Sequence, residues 1–121
     1  MKQKQYKTLD SGARQNYKSG MRRDLQNGKP RYDLCDLALF KRWAALMERG
    51  AVKYGEDNWR LASSQEELKR FKASAFRHFI SWFENEEDED HCVAVVFNLA
   101  AAEWVKERLK NAKTRTKTKK S

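Results

Sequence analysis

A chain of 121 residues suffices for one compact domain and not for two. Hydrophobic residues make up 40% and aromatics 12%, enough for a packed core, while five Gly and one Pro are too few for a turn-rich all-β fold. No apolar run approaches the ~20 residues of a membrane helix, so no membrane partner is expected.

The formal charge of +9 is segregated. Residues 1–31 carry nine Lys/Arg against two Asp, and residues 106–121 carry eight against one Glu. The stretch between them is net acidic, at −5. Basicity in the two ends, with no binding motif, makes nucleic acid an unexpected partner. Cys35 and Cys92 stand alone, without a CxxC spacing, and no secretory leader is read. They suit reduced thiols and a cytoplasmic location.

In chain order, residues 1–17 are polar, without helical or strand period, and read as a flexible basic tail. A helical domain is expected over 18–109. Its first helix starts near Asp33, with Asp36 in the first turn, where a carboxylate suits the helix dipole. Leu37, Phe40, Ala44, Met47 and Ala51 form its apolar stripe, and it stops near Tyr54-Gly55. "SSQEEL" opens the second helix. Ser63 with Glu66, or Ser64 with Glu67, makes a capping box, and Leu68, Phe71, Ala75, Phe79 and Trp82 recur at helical spacing. The third helix starts inside the acidic cluster Glu84–Asp90 and runs to about Leu109, with Val93, Val96, Ala100 and Trp104 inward. "KNAKTRTKTKKS" (110–121) reads as a disordered basic tail. Together these elements make an all-α small helical bundle.

Six carboxylates in seven residues repel one another, and a helix dipole offsets only part of that cost. A divalent ion would offset the rest, and hard Mg²⁺ or Mn²⁺ wants these oxygen ligands. Asp88 and His91 are three apart and share one side of helix three, and Asn98 continues that stripe. His78 and Ser81 are paired likewise on helix two, with Asn85 beyond them. Glu48 stands on the Ala45–Val52 stripe of helix one, a carboxylate among small apolar residues. Three helices aiming polar groups into one interior is how bundles build metal sites.

"SGMRRDLQNGKPRYDL" (19–34), "RGAVKYGEDNW" (49–59), "RHFISW" (77–82), "NEEDEDH" (85–91) and "VVFN" (95–98) occur in that order. Over residues 11–109 this resembles the phage dATP/dGTP diphosphohydrolase N-terminal-domain family, among the MazG-like all-α nucleotide pyrophosphohydrolases. The resemblance implies cleavage of a (d)NTP, with purine dNTPs foremost, to (d)NMP and pyrophosphate in a metal-dependent reaction. It also implies a homo-oligomer, dimer or tetramer, completing the bundle. MazG-like proteins pair ExxE and ExxD motifs with an Asn seven residues after the Asp. Asp88-x-x-His91 with Asn98 occupies the second motif's place, with Glu87 as the neighbouring alternative to Asp88. His78 and Ser81 stand where the first motif's carboxylates would be, with Glu48 compensating. That departure leaves a catalytically inactive nucleotide- or protein-binding relative as the alternative.

On this reading Glu86, Asp88 and His91 hold the metal, helped by Glu48 or His78. Glu87 or Asp90 takes a proton from the attacking water. Lys53, Arg77, Arg23, Lys29 and Arg31 neutralise the leaving phosphates, the last three in a segment that closes over the nucleotide as a lid. Trp59 and Tyr54 stack on a base, and Asn58 reads its edge.

Overall fold

The computed structural model describes residues 5–120, with side chains through Thr116. It contains two compact units, Met1–Cys35 and Asp36–Ser121.

The first unit holds a structure that no sequence period announces. Strands β1 (Arg14–Asn16) and β2 (Arg22–Asp24) pair antiparallel, with Gln15 opposite Arg23. Gly20, at φ 90°, permits the tight turn, and its N–H donates to the Tyr17 carbonyl at 3.0 Å. Polar contacts hold the hairpin: Arg14 grips Asp10 through both terminal nitrogens (2.7 and 2.9 Å), and the Ser11 hydroxyl donates to Asp24. All of it is short and polar, so no hydrophobic alternation could reveal it.

The second unit is the helical bundle. Helix α1 spans Leu37–Tyr54, later than the expected start near Asp33; Tyr32–Leu34 form a separate 3-10 turn. Asp36 is the N-cap rather than a first-turn residue: its side chain accepts from the Ala38 N–H at 2.9 Å. Gly55, at φ 94°, ends the helix. Helix α2 spans Gln65–Phe83. Of the two possible capping boxes, Ser64 with Glu67 forms. Ser64 Oγ accepts from the Glu67 N–H, and Glu67 Oε1 accepts from the Ser63 N–H at 3.0 Å. Helix α3 runs from His91 to Lys120. It begins at the end of the acidic cluster rather than inside it, because Asn85 adopts a left-handed φ of 60° and 84–90 form the connecting turn. It also continues well past the expected end at Leu109.

Helices α2 and α3 pack along much of their length, and α1 meets α3 more lightly. The core is small: Ala62, Leu68, Ala102 and Val105, flanked by Phe71, Trp104 and Leu109. Val93 is fully buried, as expected, but the inward stripe of α3 follows Ala94, Asn98, Ala101 and Val105, leaving Val96, Ala100 and Trp104 half-buried. On α1 the inner stripe is Leu39, Trp43, Leu46, Met47, Gly50 and Ala51. Leu37, Phe40 and Ala44 face outward, as do Phe79 and Trp82 of α2. Periodicity located each apolar face to within a residue or two, and packing chose the side. Among the described residues, no helix is long and apolar enough to cross a membrane.

Candidate active site

The turn between α2 and α3 returns the chain so that residue 91 lies beside residue 78. Both imidazoles are buried, and their Nδ1 atoms stand 2.9 Å apart. His91 Nε2 lies 2.7 Å from Asp88 Oδ1, and an Arg77 guanidinium nitrogen lies 3.4 Å from His78 Nε2. One arrangement of protons gives every contact a donor and an acceptor. Arg77 donates to His78 Nε2, His78 Nδ1–H donates to His91 Nδ1, and His91 Nε2–H donates to Asp88. Both rings are then neutral. Burial, reinforced by the Arg77 charge, pushes the His78 pKa down and so favours this state. The bond from His91 holds the Asp88 carboxyl below its ordinary range.

Two groups of donors converge here, each with its ligand atoms within 4.8 Å of one another: Glu86, Asp88 and His91, and His78, Glu89 and His91. His91 belongs to both. Carboxylate oxygen with imidazole nitrogen suits a divalent ion, and the first group, with two carboxylates, suits Mg²⁺ or Mn²⁺ better than the second. Glu89 was not singled out in the sequence, and its only signal was its place in the acidic run. Glu48 lies outside both groups: it is exposed on α1, among the equally exposed Ala45 and Val52, because the helix turns that stripe away from α3.

The cluster lies at one side of a cleft of about 1190 Å³, roomy enough for a nucleotide. His78, Glu87, Asp88 and Asn98 line it, opposite Lys53, Tyr54 and Asn58. Arg49, Phe71 and Phe97 also line it, none of them expected as a site residue from the sequence. Asn98 is buried and donates to the Ala94 carbonyl at 2.8 Å, which leaves its side-chain oxygen available to accept. Trp59 is fixed edge-on against Phe97 (6.0 Å) and Trp104 (5.5 Å), with Arg60 over its ring. It forms wall; Tyr54 is the more exposed ring, with the Lys53 ammonium 5.0 Å from its centre.

Asp90, the other expected proton acceptor, is held by an ion pair. Arg42 of α1 grips it bidentately at 2.8 and 2.7 Å, and this bond holds its carboxyl below the ordinary range. A carboxylate so held is a weak base and a clamp between α1 and the start of α3. Arg42 was missed because nothing local in sequence marks a partner 48 residues away. Arg23, Lys29 and Arg31 belong to the first unit. Lys29 lies 3.6 Å from Asp24, and Arg31 binds Asp33 through two nitrogens at 2.9 and 2.8 Å.

The model for dATP/dGTP diphosphohydrolase, N-terminal, matches residues 16–115. The chain belongs to this family. No curated protein and no solved structure matches it. The match to the dATP/dGTP diphosphohydrolase N-terminal family spans every segment that lines the cleft. The "AVKYGEDNW" stretch brings Lys53, Tyr54 and Asn58, and "NEEDEDH" brings the carboxylates and His91.

Proposed function

We propose that the second unit hydrolyses purine deoxynucleoside triphosphates to the monophosphate and pyrophosphate, with a divalent ion, Mg²⁺ or Mn²⁺, held by Glu86, Asp88 and His91. The supporting observation is the buried His78–His91 pair tied to Asp88 at the side of an aromatic-walled cleft. When bound, such an ion supplies positive charge to phosphate oxygens. The chain's own residues do the rest. Glu87, exposed in the cleft, accepts the proton of the attacking water. The water oxygen bonds to the α-phosphorus as the bond to the bridging oxygen breaks, and pyrophosphate leaves. Arg49 and Lys53 offset its charge. Tyr54 stacks on the base, and Asn58 and Asn98 meet its polar edge. His91 Nε2 would ligate in the tautomer whose Nδ1–H donates to His78 Nδ1, so His78 acts behind the cleft by holding the ring in one orientation.

The active form in this reading is a homo-oligomer. Phe76 and Phe83 are 69% and 68% exposed on α2, beside Phe79, Ile80 and Trp82. An aromatic face of that extent on a core built from Ala and Val calls for a second copy.

The test is a screen of all dNTPs and NTPs with Mg²⁺ or Mn²⁺, reading pyrophosphate. The reading predicts release from dGTP or dATP that stops on chelation. A second reading, nucleotide binding without cleavage, is favoured by the exposure of Glu48 outside both ligand groups. Saturable dGTP binding with no pyrophosphate under any metal would establish it instead.

A further inference from the structure

The His78 and His91 rings face each other through the same atom. Their Nδ1 nitrogens lie 2.9 Å apart, with ring centres 5.1 Å apart and planes inclined by 39°. A carboxylate oxygen of Glu89 stands within 4.8 Å of a nitrogen of each ring. Glu89 is exposed and lines the cleft together with His78. Two imidazoles and one carboxylate thus meet where the cleft gives access.

Their spacing is that of neighbouring ligands. Two nitrogens each about 2.1 Å from an octahedral ion stand about 3.0 Å apart. A hydrogen-bonded ring pair fits the same distance, so the surroundings decide. On the far side of its ring, His91 Nε2 lies 2.7 Å from Asp88 Oδ1. A histidine that ligates through one nitrogen makes this bond with the other N–H, to a carboxylate that fixes its tautomer and orientation.

We propose that His78, His91 and Glu89 form a second metal site, taking a borderline transition ion such as Co²⁺, Ni²⁺ or Zn²⁺ through the two Nδ1 atoms and the carboxylate. Two imidazoles suit such ions better than Mg²⁺, which prefers oxygen. Binding needs one proton shift. In the hydrogen-bonded pair His78 carries its proton on Nδ1. As a ligand it carries the proton on Nε2, and the exposed Arg77, 3.4 Å from that atom, turns aside. No proton leaves the pair. A neutral imidazole has one lone pair to give, so His91 serves an ion at Nδ1 or at Nε2, not both. An ion between the histidines therefore withdraws His91 from Glu86 and Asp88. That consequence rests on the metal assignment of the proposed function. Borderline ions bind nitrogen ligands more tightly than Mn²⁺ does, which makes the pair an inhibitory site.

The test uses the full chain, freed of metal by chelation and titrated with Co²⁺. The protein should bind the ion with visible absorption and show two hyperfine-shifted ring N–H proton signals, lost in D₂O, one from each histidine. The Glu86–Asp88–His91 group holds one histidine and would show one. Glu89→Gln should weaken Co²⁺ binding at least about tenfold and leave Mn²⁺ affinity, read by electron paramagnetic resonance, within about twofold. Glu86→Gln should do the reverse, and added Co²⁺ should release bound Mn²⁺. A single exchangeable signal, or none, overturns the proposal, as does Co²⁺ affinity indifferent to Glu89→Gln. Co²⁺ and Mn²⁺ held together on one chain overturn the competition. A chain that binds Co²⁺ with two signals but never Mn²⁺ refutes the metal assignment of the proposed function and upholds the histidine site.

Discussion

The α2–α3 seam has two ends built from different materials. One end, Leu68 against Ala102 and Val105, is dry and apolar. The other buries two imidazoles and an amide, His78, His91 and Asn98, within the same helix pair. Burial of an apolar group stabilises directly. Burial of an imidazole is tolerable only with its nitrogens bonded. The polar end satisfies that condition through a chain of contacts ending on Asp88 and Arg77. One seam therefore separates holding the fold from presenting chemistry, and substitutions at its two ends should fail in different ways.

The largest effect on activity is expected at the polar end. His91→Ala and Asp88→Asn should each lower pyrophosphate release at least about a thousandfold while far-UV circular dichroism keeps its helical signal. The double variant should be little worse than either single one, since residues acting as a unit are not additive. Retained turnover in Asp88→Asn would reduce the carboxylate to a partner that merely orients His91.

The mirror experiment removes apolar volume. Leu68→Ala should cost about 2–4 kcal/mol in urea unfolding and leave turnover per folded molecule within about twofold. A collapse of turnover at full occupancy of the fold would mean the two ends are not separable.

Metal should stabilise only the polar end. Millimolar Mn²⁺ or Mg²⁺ should raise the melting temperature by mass action. The rise should shrink as pH falls, because a ligand nitrogen or carboxylate must shed its proton first, and it should vanish in His91→Ala. A melting curve indifferent to both ions would count against the Glu86–Asp88–His91 group.

Two smaller effects sharpen the boundary. Arg42→Ala should lower the urea midpoint by freeing α1, and Arg42→Ala with Asp90→Asn should be less than additive, because the two groups share one bidentate contact. At the apolar end, Ser64→Ala should cost about 1 kcal/mol, the usual value of an N-cap. Glu67 has its pKa lowered, first by the Ser63 N–H and then by the Ser64 hydroxyl. A carboxyl with a depressed folded pKa contributes stability above its unfolded value, near 4.3, and loses it as pH falls through the folded value. Urea midpoints should therefore drop on acidification below about pH 4.5, and the Glu67→Gln drop should be shallower. Parallel curves would leave the cap without an electrostatic part.

Much of the molecule was legible in the chain. Helix existence followed from period and caps: Ser64 with Glu67 at one start, Gly55 at one stop, and Asp36 beside another. His91 and Asn98 were legible as one stripe, because spacing within a helix is a local property, whereas Asp88, expected on the same helix, reaches His91 from the connecting turn. The segments around Lys53, Asn58 and His91 were legible as motifs, and the family match over 16–115 agrees.

What spacing could not supply was the relation between helices. No local rule says that residue 78 would meet residue 91 ring to ring, or that Arg42 would bind Asp90. The turn by which α2 hands the chain to α3 contains the left-handed Asn85. The rotation of each helix was likewise a tertiary decision. Several adjacent faces of α1 and α2 are apolar enough to bury, and packing chose Trp43 and His78 while leaving Phe40, Glu48 and Phe79 outside. Nor could composition decide the basic end. Its Lys and Arg residues carry the same charge in coil or helix, and only the structure shows α3 continuing past Leu109, because the backbone hydrogen bonds that prolong a helix leave no mark in composition.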